Sequence, residues 1–124
     1  MLSKANVVAF LGTTEPEACR RFYEEGLGLT FVVDEPSALV FDSNGTMLRV
    51  GKMEKLDPLP FTVLGWEMDN LEATVTGLKE RGIETELFEG IDQDEKGIAA
   101  FGATRVAWLK DPDGNILSLA QGAA

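Results

Sequence analysis

The chain has 124 residues, 44% of them hydrophobic, which is enough for one hydrophobic core and too few for two independent domains of ordinary size. Its formal net charge of −10 argues against binding to nucleic acid or to an anionic membrane surface, because both would repel it. With one cysteine and no histidine, an internal disulfide, a histidine-based zinc site and a Ser-His-Asp triad are excluded. Apolar runs far shorter than the ~20 residues that span a bilayer, and an amino terminus without a signal-peptide pattern, predict a cytoplasmic protein.

The chain opens with a strand and an amphipathic helix. The apolar run over residues 7–11 predicts the strand, and Thr14, followed three residues later by Glu17, is typical of a helix N-cap. Gly26 is a natural helix stop. One face of this helix is apolar and carries Ala18, Cys19, Phe22 and Tyr23. We therefore expect this face to be buried, with the cysteine as a small hydrophobe and not as a catalytic nucleophile.

A β-hairpin follows the helix. Asp42-Ser43-Asn44-Gly45-Thr46 lies between two β-like runs, residues 39–41 and 47–50. Turn residues of this kind between two apolar runs are typical of a tight hairpin. With one further strand before the hairpin, the first half of the chain reads strand, helix and three strands.

The second half of the chain repeats this order. At an offset of 55 residues, the segment 62–66 repeats the first strand, and Asp69 followed by Glu72 repeats the helix N-cap. The apolar face of the repeated helix holds Leu71, Val75 and Leu78. At an offset of 69 residues, Asp111-Pro112-Asp113-Gly114-Asn115 repeats the hairpin turn. Two caps, two turns and two strands in the same order predict a tandem duplication of a βαβββ module.

The repeat sets the expected boundaries within a single domain. Module one covers residues 1–52, a proline-containing linker covers 53–60, and module two covers 61–124. Because the two offsets differ, the second module carries one insertion, at residues 87–100. Its mixture of apolar residues, glycines and acids fits a mobile flap, a surface loop or a dimer contact.

Two motifs carry a resemblance to a known family. Phe22-Tyr23-Glu24-Glu25-Gly26-Leu27-Gly28-Leu29 resembles the end of the first helix in proteins of the vicinal oxygen chelate superfamily, which includes glyoxalases, bleomycin resistance proteins and dioxygenases. Asp111-Pro112-Asp113-Gly114-Asn115 resembles their DPDGN hairpin. Together with the duplicated order, the resemblance covers nearly the whole chain. It implies an α+β fold in which two tandem βαβββ modules form a curled, cleft-bearing mixed sheet with helices on the convex side, often as a homodimer.

The resemblance also locates the positions that hold a divalent metal in the enzymes of this family. They correspond to Val8 and Arg49 in the first module and to Val63 and Ser118 in the second. Valine has no donor atom, arginine has no lone pair to give, and a serine hydroxyl is a weak ligand on its own. We therefore expect no metal site of the family type and no other cofactor.

Side chains on the same strands are expected to line the cleft. Because side chains alternate along a strand, Met47 shares the face of Arg49, while Leu48 and Val50 turn to the helices. A three-residue second hairpin would set Trp108 opposite Ser118 on this face, whereas a two-residue hairpin would turn the tryptophan to the helices. The candidate ligand-binding residues are Val8, Phe10, Met47, Arg49, Val63, Trp108, Lys110 and Ser118.

Structural roles compete with ligand binding at several of these positions. The guanidinium of Arg49 would bind a ligand oxygen or pair with a structural carboxylate or backbone carbonyl. Trp108 would stack on a ligand or fill the core, and Lys110 would partner Ser118 or be a solvated surface charge. By its place in the alternation, Trp66 is expected to be structural.

Three functions remain open on the sequence. The first is a metal-independent homodimer that binds or sequesters a small hydrophobic or aromatic molecule, as bleomycin resistance proteins do. The alternative is a glyoxalase-like lyase or isomerase acting on a small carbonyl compound, with Arg49 as electrophile and Glu67 as a candidate base. The third is a dimeric interaction module whose cleft is filled by its own side chains. Nucleic acid and membranes are not expected as partners.

Overall fold

The computed structural model describes residues 1–122. The chain divides into two compact units, Met1–Asp57 and a second that begins at Pro58. The division falls inside the segment 53–60 that the sequence predicts as a linker.

The first unit contains a helix and four strands in the predicted order. Its elements are β1 (Val8–Thr13), α1 (Pro16–Arg20), a π-helical continuation of α1 (Arg21–Gly26), β2 (Thr30–Asp34), β3 (Ala38–Ser43) and β4 (Thr46–Lys52). The strands form one open sheet in the order β1-β4-β3-β2, with β1 parallel to β4 and the other neighbours antiparallel. The first strand of the unit therefore lies beside the last one.

The start of the first helix differs from the sequence prediction. Thr14 is not the N-cap, because α1 begins at Pro16 and Glu15 stands at the cap position without a side-chain hydrogen bond. The Thr13 hydroxyl accepts a hydrogen bond from the Glu15 N–H at 3.0 Å. Proline is favoured at the first position of a helix because its fixed φ suits the helix and its missing N–H would have no partner there, so Pro16 favours this later start. The predicted end at Gly26 is confirmed.

The core of the first unit lies between this helix and one face of the sheet. Tyr23 and Phe41 are fully buried, and their ring centroids lie 5.7 Å apart. Cys19, also buried, packs as a small apolar side chain, as the sequence predicted. Burial of each large side chain contributes about 1.5–3 kcal/mol before the entropy cost of ordering it.

The second unit repeats the first. Its elements are β5 (Thr62–Glu67), α2 (Leu71–Glu80), β6 (Ala99–Phe101), β7 (Thr104–Lys110) and β8 (Ile116–Gln121). The sheet order β5-β8-β7-β6 matches that of the first unit, again with the first strand parallel to the last. The βαβββ duplication and the α+β class predicted from the sequence are confirmed.

The second helix also begins one residue later than predicted. Asn70, and not Asp69, is the N-cap, and its side-chain oxygen accepts a hydrogen bond from the Ala73 N–H at 3.1 Å. The apolar face is as expected, with Leu71, Val75 and Leu78 all buried. Both asparagine and aspartate are good N-caps, so the motif alone did not distinguish between neighbouring positions.

The two predicted hairpins are present, with different turns. Asn44 and Gly45 connect β3 to β4, both with positive φ (47° and 92°), which is the twist that a two-residue turn requires. The second hairpin closes through a hydrogen bond from the Asp111 N–H to the Asn115 carbonyl at 3.0 Å, leaving a three-residue loop in which Gly114 has φ 87°. The three-residue alternative is therefore the correct one.

No helix within residues 1–122 is long and apolar enough to cross a membrane.

Candidate functional site

One face of the first sheet is open and largely apolar. Val8 and Phe10 of β1 pair in register with Met47 and Arg49 of β4, and we name these four residues the β1–β4 face. Phe10 retains 69% of its accessible surface, whereas Leu48, on the opposite side of the sheet, retains 2%. The predicted alternation along β4 is confirmed, and it leaves an exposed aromatic ring beside a cation.

Arg49 is held by a carboxylate from the same unit. Its Nη2 lies 2.8 Å from Oε2 of Glu35, which stands in the turn between β2 and β3, and both side chains are partly exposed. This pair holds the pKa of Glu35 below its ordinary value and raises the pKa of Arg49, mainly through the hydrogen bond between them. The structure thus shows a carboxylate partner for Arg49, while ligand binding by the same guanidinium stays a prediction. Glu35 was not predicted, because nothing in its local pattern marks it as a partner of β4.

One end of the β1–β4 face is covered by the chain itself. Gly12 follows Phe10 on the same side of β1, and a Cβ at this position would meet the Met53 sulfur at 2.6 Å and the Leu56 side chain at 3.3 Å. The segment after β4 therefore packs on the glycine. At this end, the protein's own side chains cover the face, which is what the interaction-module alternative expects for the whole cleft. Phe10 nevertheless remains exposed.

The second sheet has an equivalent face built around Trp108. Trp108 pairs with Ser118, and Ser118 pairs with Gly65 of β5, so the three positions share one side of the sheet. Trp66 pairs with Leu119 on the other side, where Leu119 is buried, in agreement with a structural role. The sequence correctly placed Trp108 opposite Ser118.

Two phenylalanines flank Trp108 and form what we call the aromatic cluster. Phe88, from the predicted insertion, meets the indole edge-on with ring centroids 5.5 Å apart, and Phe101 of β6 does so at 6.4 Å. Phe101 is exposed and Trp108 is partly exposed, so the cluster presents aromatic surface to solvent. The sequence missed Phe101, since a three-residue edge strand carries too short an alternation to be detected.

Hydrogen bonds anchor the loop that carries Phe88. The Gln93 side chain accepts from the Phe88 N–H at 2.8 Å and donates to the carbonyls of Glu86 and Gly97 at 2.9 and 2.8 Å. The Glu86 N–H in turn donates to the Trp108 carbonyl at 2.8 Å. Glu86, the residue just before the insertion, thus joins this segment to β7 through its backbone.

The remaining predicted residues lie around these faces without forming a catalytic group. Lys110 is exposed, and its Nζ lies 3.6 Å from Oε1 of Glu86. Glu67 is exposed at the end of β5, which contradicts the buried base that the enzyme alternative needs. Val63 is partly buried at an irregularity of the β5–β8 pairing. These positions supply neither a proton acceptor held beside Ser118 nor an activated nucleophile.

The donor set at the family's metal positions does not fit a divalent ion. Val8 and Val63 have no donor atom, the Arg49 guanidinium is a cation with no lone pair to give, and of these four residues only Ser118 has a side-chain donor oxygen. Within residues 1–122, no group of three or more His, Cys, Asp or Glu side chains is close enough to hold a metal.

A separate cavity of about 580 Å³ lies on the helical side of the second unit. It opens between α2 and the loop that follows it. Its lining is formed by Val75, Thr76, Lys79, Glu84, Thr85, Leu87, Glu95 and Lys96. Because it mixes both charges and contains none of the predicted ligand-binding residues, it is distinct from the two sheet faces.

Comparison with known proteins agrees with this fold. The sequence profile of the Glyoxalase/Bleomycin resistance protein/Dioxygenase superfamily matches residues 5–119, whereas no curated protein sequence matches the chain. The crystal structure of TnmS3, an antibiotic-binding protein from Streptomyces sp. CB03234, superposes with a TM-score of 0.76 at 23% identity, covering 99% of each chain. A glyoxalase family protein from Enterococcus faecalis gives a TM-score of 0.74 at 21% identity, covering 97% of this chain and 99% of that one.

A further neighbour is a glyoxalase/bleomycin resistance protein/dioxygenase from Alicyclobacillus acidocaldarius, with a TM-score of 0.72 at 15% identity over 98% of this chain and 93% of that one. At these identities the structural likeness establishes the fold, and the profile match over most of the length establishes the family. The resemblance first noted in the helix end and the DPDGN turn is thereby confirmed. The chain belongs to the Glyoxalase/Bleomycin resistance protein/Dioxygenase superfamily.

Proposed function

We propose that the protein binds or sequesters a small hydrophobic or aromatic molecule without using a metal ion, in the manner of bleomycin resistance proteins. The observation that carries the proposal is the β1–β4 face, where Phe10 is 69% exposed between partly exposed apolar neighbours. Contiguous exposed apolar surface on a soluble protein usually marks a binding site. The antibiotic-binding function named for TnmS3 is in keeping with this assignment.

The chemistry of the two faces suits binding better than catalysis. Ligand sites combine apolar and aromatic walls with a few well-placed polar groups. In the first sheet, the β1–β4 face offers the Phe10 ring and the N–H donors of Arg49. In the second sheet, the aromatic cluster supplies ring surface and Ser118 supplies a hydroxyl. Among the described residues, the carboxylate beside these donors is Glu35, which is paired with Arg49 and is a poor base because its pKa is lowered, so the lyase or isomerase alternative has no observation in its favour.

The proposal extends to the assembly and the compartment. We expect a homodimer, since members of the family often assemble in this way and exposed apolar strand faces favour association. We expect the protein to act in the cytoplasm, where the thiol of its single cysteine, Cys19, would stay reduced. Native mass spectrometry of untagged protein would report the subunit count together with any retained small molecule or metal.

Binding is tested with a neutral aromatic probe. Metal-depleted protein would be titrated with 2-naphthamide while backbone and indole N–H resonances are followed by NMR, which detects affinities as weak as millimolar. We expect saturable shifts at Phe10 and at the Trp108 indole. Phe10→Ala and Trp108→Phe should each weaken binding, by about tenfold for the loss of one favourable ring contact.

Two control variants separate the faces from the rest of the surface. Leu87→Ala removes an exposed apolar side chain from the helical side, and Trp66→Phe changes the tryptophan on the opposite side of the sheet. Both should bind the probe like the wild type. The proposal would be wrong if all four variants bound alike, if no aromatic probe bound, or if binding required an added divalent metal.

A further inference from the structure

The β1–β4 face contains a cation that is already paired. We infer that Glu35 is a specificity-determining residue that selects uncharged ligands with a carbonyl-type oxygen and disfavours carboxylates. The inference rests on the proposed binding function and narrows it to a ligand class.

The first step of the argument is geometric. Glu35 Oε2 accepts from Arg49 Nη2 at 2.8 Å, and the Arg49 side chain keeps 29% of its accessible surface. A guanidinium has five N–H donors, and Glu35 is the hydrogen-bond partner that the structure shows for this one within the described chain. Donors therefore remain for a ligand oxygen, next to the exposed ring of Phe10.

The second step is electrostatic. A ligand carboxylate that approached Arg49 would also approach the Glu35 carboxylate, so it would have to displace that residue or bear its repulsion. The pKa of Glu35 is held below its ordinary value, so this carboxylate is charged at neutral pH. The formal net charge of −10 adds long-range repulsion against anions. A neutral carbonyl oxygen meets neither obstacle and still accepts a hydrogen bond.

The third step is that, of the two adjacent acidic residues Asp34 and Glu35, only Glu35 lies on the same side of the sheet as Arg49. The neighbouring Asp34 pairs in register with Leu39, whose side chain is in the core, and its own ion pair is with Lys52 at 2.5 Å. Val33, one position earlier, pairs with Val40, which is the register partner of Arg49. Asp34 therefore belongs to the opposite side of the sheet from Arg49.

This arrangement supplies a matched control for the test. Glu35→Gln and Asp34→Asn each remove one negative charge from adjacent residues, but only the first frees the Arg49 charge. Each protein would be titrated with 2-naphthamide and with 2-naphthoate, which share one ring system and differ in charge. Wild type should bind the amide at least fivefold more tightly than the acid.

In Glu35→Gln, we expect the affinity for 2-naphthoate to rise about tenfold, the size of one charge-assisted interaction, with the affinity for 2-naphthamide unchanged within about twofold. Asp34→Asn should keep the wild-type ratio. Adding Arg49→Gln to Glu35→Gln should abolish the gain for the acid. Glu35→Ala serves as a second variant should Glu35→Gln fold poorly.

Three outcomes would overturn the inference. The ratio of the two affinities could stay unchanged in both Glu35 variants, or Asp34→Asn could shift it equally, which would assign the effect to bulk charge alone. Wild type could also prefer the acid. If neither probe binds any of these proteins, the proposed binding function itself fails and the inference fails with it.

Discussion

Gly65 and Ser118 face each other across β5 and β8, and the serine hydroxyl lies in the space that a Cβ on Gly65 would occupy. The serine carbonyl oxygen would lie only 3.2 Å from the same Cβ. Glycine at this position therefore lets the Ser118 side chain lie over the neighbouring strand. The equivalent position in the first sheet is Phe10, which stands beside Arg49 instead.

Gly65→Ala is expected to destabilise the protein by about 1–3 kcal/mol, because an added methyl group forces Ser118 and the β8 backbone to move. The free energy of unfolding in urea measures this. Adding Ser118→Ala should restore part of the loss, since the hydroxyl is the nearest obstacle. Gly77→Ala is the control: it lies inside α2 with nothing within 4 Å of the new Cβ, so it should stabilise by about 0.5–1 kcal/mol. A Gly65→Ala protein as stable as wild type would contradict the close contact.

Asn70→Ala should cost about 1 kcal/mol of unfolding free energy, because it removes the hydrogen bond to the Ala73 N–H at the start of α2. The neighbouring exposed Asp69→Ala should change stability by less than about 0.5 kcal/mol. Thermal or urea unfolding of the two variants distinguishes them. An equal loss of unfolding free energy in the two variants, or a larger loss in Asp69→Ala, would contradict Asn70 as the N-cap and favour Asp69, as the sequence predicted.

Gln93→Ala should destabilise the second unit by about 1–3 kcal/mol, because the Phe88 N–H and two carbonyls lose their partner together. Without these hydrogen bonds, the position of Phe88 should change, and with it the environment of Trp108, on which Phe88 packs. Tryptophan emission measured in a Trp66→Phe background reports this change. Glu89→Ala, an exposed substitution in the same loop, should leave both stability and emission unchanged.

The Glu35 pair should produce a defined pH dependence. The folded-state pKa of Glu35 lies below its ordinary value of 4.5, so the pair stabilises the fold above that pH, and the contribution is lost as pH falls through the folded pKa. The difference in unfolding free energy between wild type and Glu35→Gln should thus be present at pH 7, should shrink as pH falls below 4.5, and should be lost below the folded-state pKa. Because both groups are partly exposed, high salt should shrink it as well. A difference that persists unchanged to pH 3 would contradict the ion pair as its origin.

Repetition within the chain is what allowed the amino-acid sequence by itself to determine the fold. In each module, local residues indicate where the helix begins and where the hairpin turns. Because these motifs occur twice in the same order, a chance match is improbable for either copy. The alternation of Leu48 and Val50 against Arg49 followed from the pleat of a single strand, and the Trp108 register followed from the length of one turn. Both helix starts were misplaced by one residue, because neighbouring polar residues are almost equally good candidates for the N-cap.

The candidate site could be predicted only in part, for a different reason. The parity of a strand placed Met47 on the face of Arg49, and the family resemblance, which set the first and last strands of a module on one cleft, added Phe10 to it. It could not name Glu35 as the counter-ion, or Phe88 and Phe101 as the rings around Trp108, because these contacts join separate elements. Secondary structure follows from short-range backbone and capping preferences, whereas the charge and shape of a binding face depend on which distant side chains the packed strands bring within a few ångströms.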